Sequence, residues 1–226
     1  MSIQIIRYYF FQPLVIDPIN QDLRIESKPL EYRDIPMQQT VPLFPLSAHL
    51  LPGGKLPLRI FEPRYVTMVK DACANNSGFG ICMLNPQGDI GSNKHIFPIG
   101  TYAKVVDFDL LPDGMLGITV EGMYCFNILA IQTEKNGLRI GECEVLHEWQ
   151  ASADTSVLGA LTERLQEIFD KYPELQSLHP LPRFDDPIWV IYRWLELLPI
   201  EPKEKQALLT HKEHVKALEF LTQLIE

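Results

Sequence analysis

Two hydrophobic periods divide the chain. From Val41 to about Gln150, apolar residues alternate or cluster in short runs. After about residue 152 they recur every third or fourth position. LPLRI (56–60) sets Leu56, Leu58 and Ile60 against Pro57 and Arg59, and GFGICML (78–84) is a brief apolar run opened by glycine, so each predicts a strand. TYAKVVDFDLL (101–111) and MLGITVEGMYCFNILAI (115–131) predict a hairpin through Pro112-Asp113-Gly114, where proline presets φ and glycine accepts a positive one. Asn136-Gly137, the strongest two-residue turn signal, leads into LRIGECEVLHEW. Strands this closely spaced predict a barrel-like or folded-over sheet. One helix interrupts them: Pro63 suits a first turn, Tyr65, Met68, Val69, Ala72 and Cys73 form one stripe, and Asn75-Asn76-Ser77-Gly78 ends the run.

The second period predicts helices. Leu158, Leu161, Leu165, Ile168 and Phe169 share a face behind the capping candidates Asp154, Thr155 and Ser156, and Tyr172-Pro173 stops the run. Asp186-Pro187 reads as N-cap and first position of a helix carrying Ile188, Ile191, Leu195 and Leu198 on one side. Pro202 opens a short helix through Leu209, and Val215, Leu218, Leu221 and Ile225 stripe the last one. A β-rich half followed by a helical half, without βαβ alternation, is an α+β arrangement. The expected organisation is a 1–40 N-terminal extension, a 41–150 β-rich subdomain and a 151–226 helical subdomain. Within the extension, Ile3, Ile5, Ile6 and Tyr8 through Phe11 predict an extra strand followed by a polar linker. Met37 directly precedes the patterned region, so residues 1–36 are expected to be dispensable.

Composition narrows the function classes. The 226 residues are 46% hydrophobic and 22% charged, an ordinary globular balance. Lys+Arg 20 against Asp+Glu 29 leaves a net charge of −9, which supplies no general field for a nucleic-acid backbone or an anionic membrane. No apolar stretch is long enough to span a bilayer, and Arg7, Pro13 and Pro18 break the pattern a signal peptide needs. Cys73, Cys82, Cys125 and Cys143 have neither CxxC nor zinc spacing and read as buried residues of a reducing compartment, so the expected location is cytoplasmic.

Candidate chemistry is sparse. No GxSxG or Ser-x-x-Lys run nominates a nucleophile. Asp107 and Asp109, two apart on a strand, read as a solvated face beside a turn. His211 and His214 share a helix face, but Lys212 and Lys216 mark that surface as wet and only two ligands are visible. Trp189, Tyr192 and Trp194 surround a helix and read as core. No catalytic residue, cofactor or metal is expected.

One stretch carries more. VPLFPLSAHLLPGGKLPLRIFEPRYVTMVKDA (41–72) resembles the opening signature of the Lon protease N-terminal (LON) domain family, with P-L-F-P-L, then P-G-G, then L-P-L-x-I-F-E-P-R-Y in that order and spacing. Matches continue in register at FG (79–80), IGTYAKV (99–105), LPDGMLGITVEG (111–122) and LLPIEPKEKQALLT (197–210), so the resemblance covers about 41–226. Cys125 stands where the family commonly has arginine. Gly53-Gly54-Lys55-Leu56 is not a nucleotide-binding loop, because the upstream glycine and the terminal hydroxyl are missing.

The resemblance implies a β-rich PUA-like pseudo-barrel followed by a helical C-terminal lobe, in a stand-alone form without ATPase or peptidase domains. It further implies a non-catalytic module that binds unfolded or extended polypeptide as an adaptor in ATP-dependent proteolysis, partnering a separate ATP-dependent protease. The alternative is a PUA-like nucleic-acid or nucleotide binder, which requires a local basic cleft. Leu43, Phe44, Leu46, Leu50 and Leu51 are the candidate peptide contacts, with core packing as the competing reading of each. Pro45, Gly53, Gly54, Arg59, Phe61, Glu62, Arg64 and Tyr65 are signature positions expected to shape the fold. Arg59, Glu62 and Arg64 either lock the strand at 56–60 to the following helix as an ion-pair network or present charge to a bound peptide.

Overall fold

The computed structural model describes residues 35–111, 115–150 and 156–225. The predicted strand and linker before residue 35, the Pro112-Asp113-Gly114 turn and the capping candidates Asp154 and Thr155 lie outside them. The β half comprises β1 (Gln38–Leu46), β2 (Lys55–Ile60), α1 (Pro63–Ala74), β3 (Phe79–Leu84), β4 (Ile96–Leu110), β5 (Leu116–Thr133) and β6 (Arg139–Val145). The helical half comprises α2 (Ser156–Lys171), α3 (Pro173–Leu178), α4 (Pro187–Leu197), α5 (Pro202–Leu209) and α6 (Val215–Ile225). The α+β order expected from the two periods is present.

The sheet runs β2-β5-β4-β3-β1-β6 and bends until β6 pairs again with β5. Two strands change partner to make this possible. The first part of β5, Leu116–Glu121, pairs with β2, whereas Phe126–Thr133 pairs with β6. β1 pairs with β6 from Gln38 to Leu43 and with β3 from Leu43 to Leu46. Register shifts at Tyr102/Ala103, Val105/Asp107 and Ile128/Ala130 supply the local bends closure requires. One end of the half is therefore a ring of five strands. At the other end β1 and β2 face each other with no strand pairing between them among the described residues.

This topology explains the prolines. β1 lies between two neighbours, where proline is normally excluded. Yet among the described residues Pro42 sits in the part paired only with β6 and Pro45 in the part paired only with β3, so each occupies a local edge. Pro57 is on β2, which among the same residues pairs on one side only.

The turn into β6 falls where Asn136-Gly137 predicted it but is wider than two residues. Glu134 N–H donates to the Leu138 carbonyl (2.8 Å) and Gly137 N–H to the Glu134 carbonyl (2.9 Å), which encloses three residues. Gly137 alone takes a positive φ, +85°. A two-residue type I′ turn needs positive φ at both central residues. The Asn136 side chain instead accepts from Leu138 N–H (2.8 Å), a use of asparagine that does not require that conformation.

Three apolar clusters hold the molecule. One lies beneath α1, where Tyr65, Met68, Val69 and Ala72 cover Phe44, Leu56, Ile60, Phe79 and Val120. Cys73, read above as part of that stripe and as buried, is exposed, because the helix turns it past the edge of its contact. A second fills the ring around Val41, Leu43, Cys82, Phe126 and Cys143. The third joins the halves: Leu51, Ile99, Cys125 and Trp149 pack with α2, α4, α5 and α6.

α4 is buried on all sides from Trp189 to Leu195 rather than along one stripe, making it the central helix of its lobe. Its N-cap is the predicted one, with Asp186 Oδ1 accepting from Ile188 N–H (3.0 Å) and Trp189 N–H (3.1 Å). Pro173 ends α2 as predicted and at once opens α3. In α6 the deepest positions are Ala217 and Leu221, while Val215 is 38% exposed. His214 is buried, in contrast to the wet surface its lysine neighbours implied, because the turn entering α6 packs it inward. His211 is exposed.

Candidate functional site

The unpaired gap between β1 and β2 forms a cleft of about 390 Å³. Phe44, Pro45 and Leu46 line one wall, and Leu58, Arg59 and Ile60 the other. The chain leaving β2 through Phe61 and Glu62 to Arg64 and Tyr65 of α1 closes one end, and Leu84, Ile90, His95 and Arg139 complete the rim. At the base, the Phe44 and Tyr65 rings stack with centroids 4.2 Å apart. The rim is apolar and open: Phe61 is 69% exposed, Ile90 66% and Leu84 37%. Large apolar side chains gathered around a concavity mark an interaction surface more strongly than scattered ones do.

Charge is concentrated beside this apolar surface. Arg64 Nη1 and Arg139 Nη1 both donate to the Gly137 carbonyl, at 3.1 and 3.0 Å. The three-residue turn aims that carbonyl at them, and its φ of +85° at Gly137 favours glycine, while a Cβ there would also meet Arg64 Nη1 at 2.8 Å, a side-chain end that can move. Arg64 also pairs with Glu62, part of the ion-pair network read from the sequence. Arg59, on the facing wall, donates from Nε to Met115 Sδ (3.3 Å). The rim thus carries three guanidinium groups and the Glu62 carboxylate in a chain of net charge −9. The His95 imidazole is held below its usual pKa, by burial first and by the Arg139 cation second.

The residues nominated from the sequence divide sharply. Leu43, Leu50 and Leu51 are buried in the core, and Phe44 exposes 7% of its surface, at the base of the cleft. These four were offered as peptide contacts. The structure corrects that reading for Leu43, Leu50 and Leu51, each of which packs into a different apolar cluster, and places Phe44 at the floor of the cleft. Leu46 is half-buried and lines the wall. The structural signature, by contrast, supplies the cleft: Pro45, Arg59, Phe61, Glu62, Arg64 and Tyr65 all line it. Ile90, His95 and Arg139 were not nominated. They come from a loop without periodicity and from a strand start, and topology alone brings them to the cleft.

Gly53 and Gly54 lie elsewhere, at the junction of the halves. Gly53 has φ +71°, and a Cβ there would strike Arg183 and stand 2.9 Å from the Trp189 ring. At Gly54 a Cβ would strike Glu196 and stand 2.7 Å from Arg193. This tight turn is clasped by α4: Leu51 N–H donates to Glu196 Oε1 (2.6 Å), Arg193 Nη2 to the Pro52 carbonyl (3.1 Å) and Trp189 Nε1 to the Gly53 carbonyl (3.2 Å). Arg193 and Glu196 form an ion pair at 2.7 Å, with side chains 2% and 8% exposed.

Burial dominates titration at this junction. It raises the Glu196 carboxyl, against the opposing pull of Arg193, and lowers the Lys205 ammonium to about 8, against Glu196. His49 is lowered to about 3 by burial, aided by Lys205. Of these groups, Glu196 lies against the Pro-Gly-Gly turn and ties α4 to the β half through Leu51 N–H. Among the described residues, no three metal-ligating side chains converge.

Comparison with known proteins agrees with this architecture. The family model described as the ATP-dependent protease La (LON) substrate-binding domain matches residues 40–226. The Lon protease of Flavobacterium johnsoniae is 22% identical over 204 residues, which is 88% of this chain and 24% of that protein. Lon protease 1 of Hydrogenovibrio crunogenus is 26% identical over 167 residues, 71% of this chain and 20% of that one. The chain thus spans about a quarter or less of these relatives.

Among solved structures, the Lon N-terminal domain protein from Xanthomonas campestris superposes with a TM-score of 0.64 at 28% identity, covering 81% of this chain and 96% of that one. The N-terminal domain of a Mycobacterium avium complex Lon protease shares the fold, with a TM-score of 0.59 at 14% identity and coverage of 82% and 97%. With the family match extending through both halves, from the first strand to the last helix, this chain belongs to the LON substrate-binding domain family.

Proposed function

We propose that this chain is a non-catalytic recognition module that holds unfolded or extended polypeptide in the β1–β2 cleft and presents it, as an adaptor, to a separate ATP-dependent protease. The supporting observation is the unpaired seam itself. Two strand edges face each other across an apolar floor, and an extended peptide can supply backbone hydrogen bonds to such edges while its alternate side chains enter the cleft. At the junction, Arg193 and Glu196 are engaged with each other and with the backbone of the Leu51–Pro52 segment, which favours a structural role for them over catalysis. The four cysteines are free, which fits a reducing compartment such as the cytoplasm.

Titrating the protein into a labelled, permanently unfolded polypeptide tests the reading by fluorescence anisotropy. Saturable binding that Phe61→Ser and Ile90→Ser weaken supports it. Absence of saturable binding overturns it. The adaptor role is checked separately, by whether the chain accelerates degradation of that polypeptide by an ATP-dependent protease from the same cell.

A further inference from the structure

Resting on that reading, we infer that the cleft selects extended segments in which an apolar or aromatic residue is flanked by an acidic side chain. The apolar requirement comes from the stacked Phe44–Tyr65 base and from Phe61 and Ile90 on the rim. The acidic requirement comes from charge. Arg64 and Arg139 converge on one neutral oxygen, the Gly137 carbonyl, and Arg59 stands on the facing wall. Glu62 pairs with Arg64 and Asp89 acts on His95, whereas the Arg139 guanidinium donates to neutral oxygens, those of Gly137 and Asn93.

The Arg59 side chain is exposed and that of Arg64 is 28% exposed, so guanidinium N–H groups reach solvent at the rim. A carboxylate presented there accepts from them and offsets the charge of Arg139, as charge-assisted hydrogen bonds do. A segment rich in Lys or Arg would be repelled. Because side chains of a strand alternate, one docked strand can turn its apolar side chain to the floor and an adjacent carboxylate toward the guanidinium groups. This surface is complementary to acidic partners although the chain as a whole is itself acidic, so selectivity arises from local placement and not from net charge.

The test uses the full chain and three rhodamine-labelled ten-residue peptides with blocked termini. All carry the same Phe-Leu centre, flanked by Asp/Glu, by Asn/Gln or by Lys. The expected result is about tenfold tighter binding of the acidic peptide than of its amide counterpart, with the lysine peptide weakest and the advantage shrinking as salt is raised. Arg139→Gln and Arg59→Gln should each reduce that advantage, read as the ratio of acidic to amide affinity in the same variant because both residues line the cleft. Two separate variants keep the result readable if either perturbs folding.

Equal binding of the acidic and amide peptides overturns this inference and leaves polypeptide recognition standing. No binding of any peptide overturns both. Displacement of the acidic peptide by a single-stranded oligonucleotide at lower concentration than by unlabelled acidic peptide assigns the cleft to nucleic acid and overturns it. Dimerisation that the acidic peptide does not reverse assigns the cleft to a second copy, with the same consequence.

Discussion

Gln206 and Ile99 form a two-point amide pair across the junction of the halves: Ile99 N–H donates to Gln206 Oε1 at 2.8 Å, and Gln206 Nε2 donates back to the Ile99 carbonyl at 2.9 Å. The side chain of α5 thereby acts as one more strand residue beside β4, satisfying two backbone groups that burial removes from water. Gln206→Leu leaves both unsatisfied. It is expected to destabilise the protein by about 2–4 kcal/mol, read as a lower urea midpoint. A change below about 0.5 kcal/mol would show that this amide pair adds no net stability to the junction.

The Arg193–Glu196 pair makes a second junction prediction. A buried pair contributes little net stability, yet removing one partner strands a buried charge. Glu196→Leu, which also removes the acceptor of Leu51 N–H, should cost about 3–5 kcal/mol. Arg193→Met combined with Glu196→Leu should cost less than the sum of the two single changes. Strict additivity in urea unfolding would mean the groups do not interact.

Two buried imidazoles set the acid side of the stability curve. His49, with both ring nitrogens shielded from solvent, and His179, packed against Phe169 and Trp189, are held neutral by burial, with pKa values lowered from 6.5 to about 3. Once the pH falls below 6.5 the unfolded chain takes up these protons and the folded chain does not. Stability is therefore complete above pH 6.5 and declines toward pH 3, each histidine contributing a slope of up to about 1.4 kcal/mol per pH unit. Urea midpoints measured from pH 7.5 to 4.5 should show the decline, and His179→Gln should flatten it. A curve level between pH 6.5 and 5 would contradict the burial of both rings.

The thiols offer a direct check on packing. Cys73 is exposed, whereas Cys82, Cys125 and Cys143 are buried, with pKa values raised above the usual thiol range, Cys125 and Cys143 to about 12. A thiol-specific reagent should modify one cysteine per native chain and four after denaturation. Burial raises Cys73 too, so its reaction should be slower than that of a free thiol. Rapid modification of two or more native thiols would place the ring or the junction elsewhere.

The sequence made the elements legible where one local rule decides. Strand alternation, the Asp186-Pro187 cap and the Asn136-Gly137 turn each act within a few residues. What it did not make legible depends on which edges remain unpaired. Leu43, Leu50 and Leu51 are as apolar as any docking residue, and only the packing of the three apolar clusters shows that they face inward. Ile90, His95 and Arg139 carried no pattern, yet the bent sheet delivers them to the cleft. Cys73 and His214 were misjudged because helical stripes and charged neighbours describe one helix, while burial is set by what packs against it. Lys205-Gln206 was visible as a motif, but its role needed the Ile99 backbone opposite it.

Phe61 and Phe44 provide the last test, because they occupy one cleft in opposite ways. Phe61 is 69% exposed, so Phe61→Ser should leave the urea midpoint within about 0.5 kcal/mol of the parent while polypeptide binding falls about tenfold. Phe44 is buried against Tyr65 at the cleft floor, so Phe44→Ala removes core volume and should cost about 3–5 kcal/mol, with binding falling as well. Measuring stability and affinity together on both variants separates a rim that contacts ligand without supporting the fold from a base that does both. If Phe61→Ser left affinity untouched, the exposed ring would have no part in recognition and the cleft would lose its principal apolar anchor.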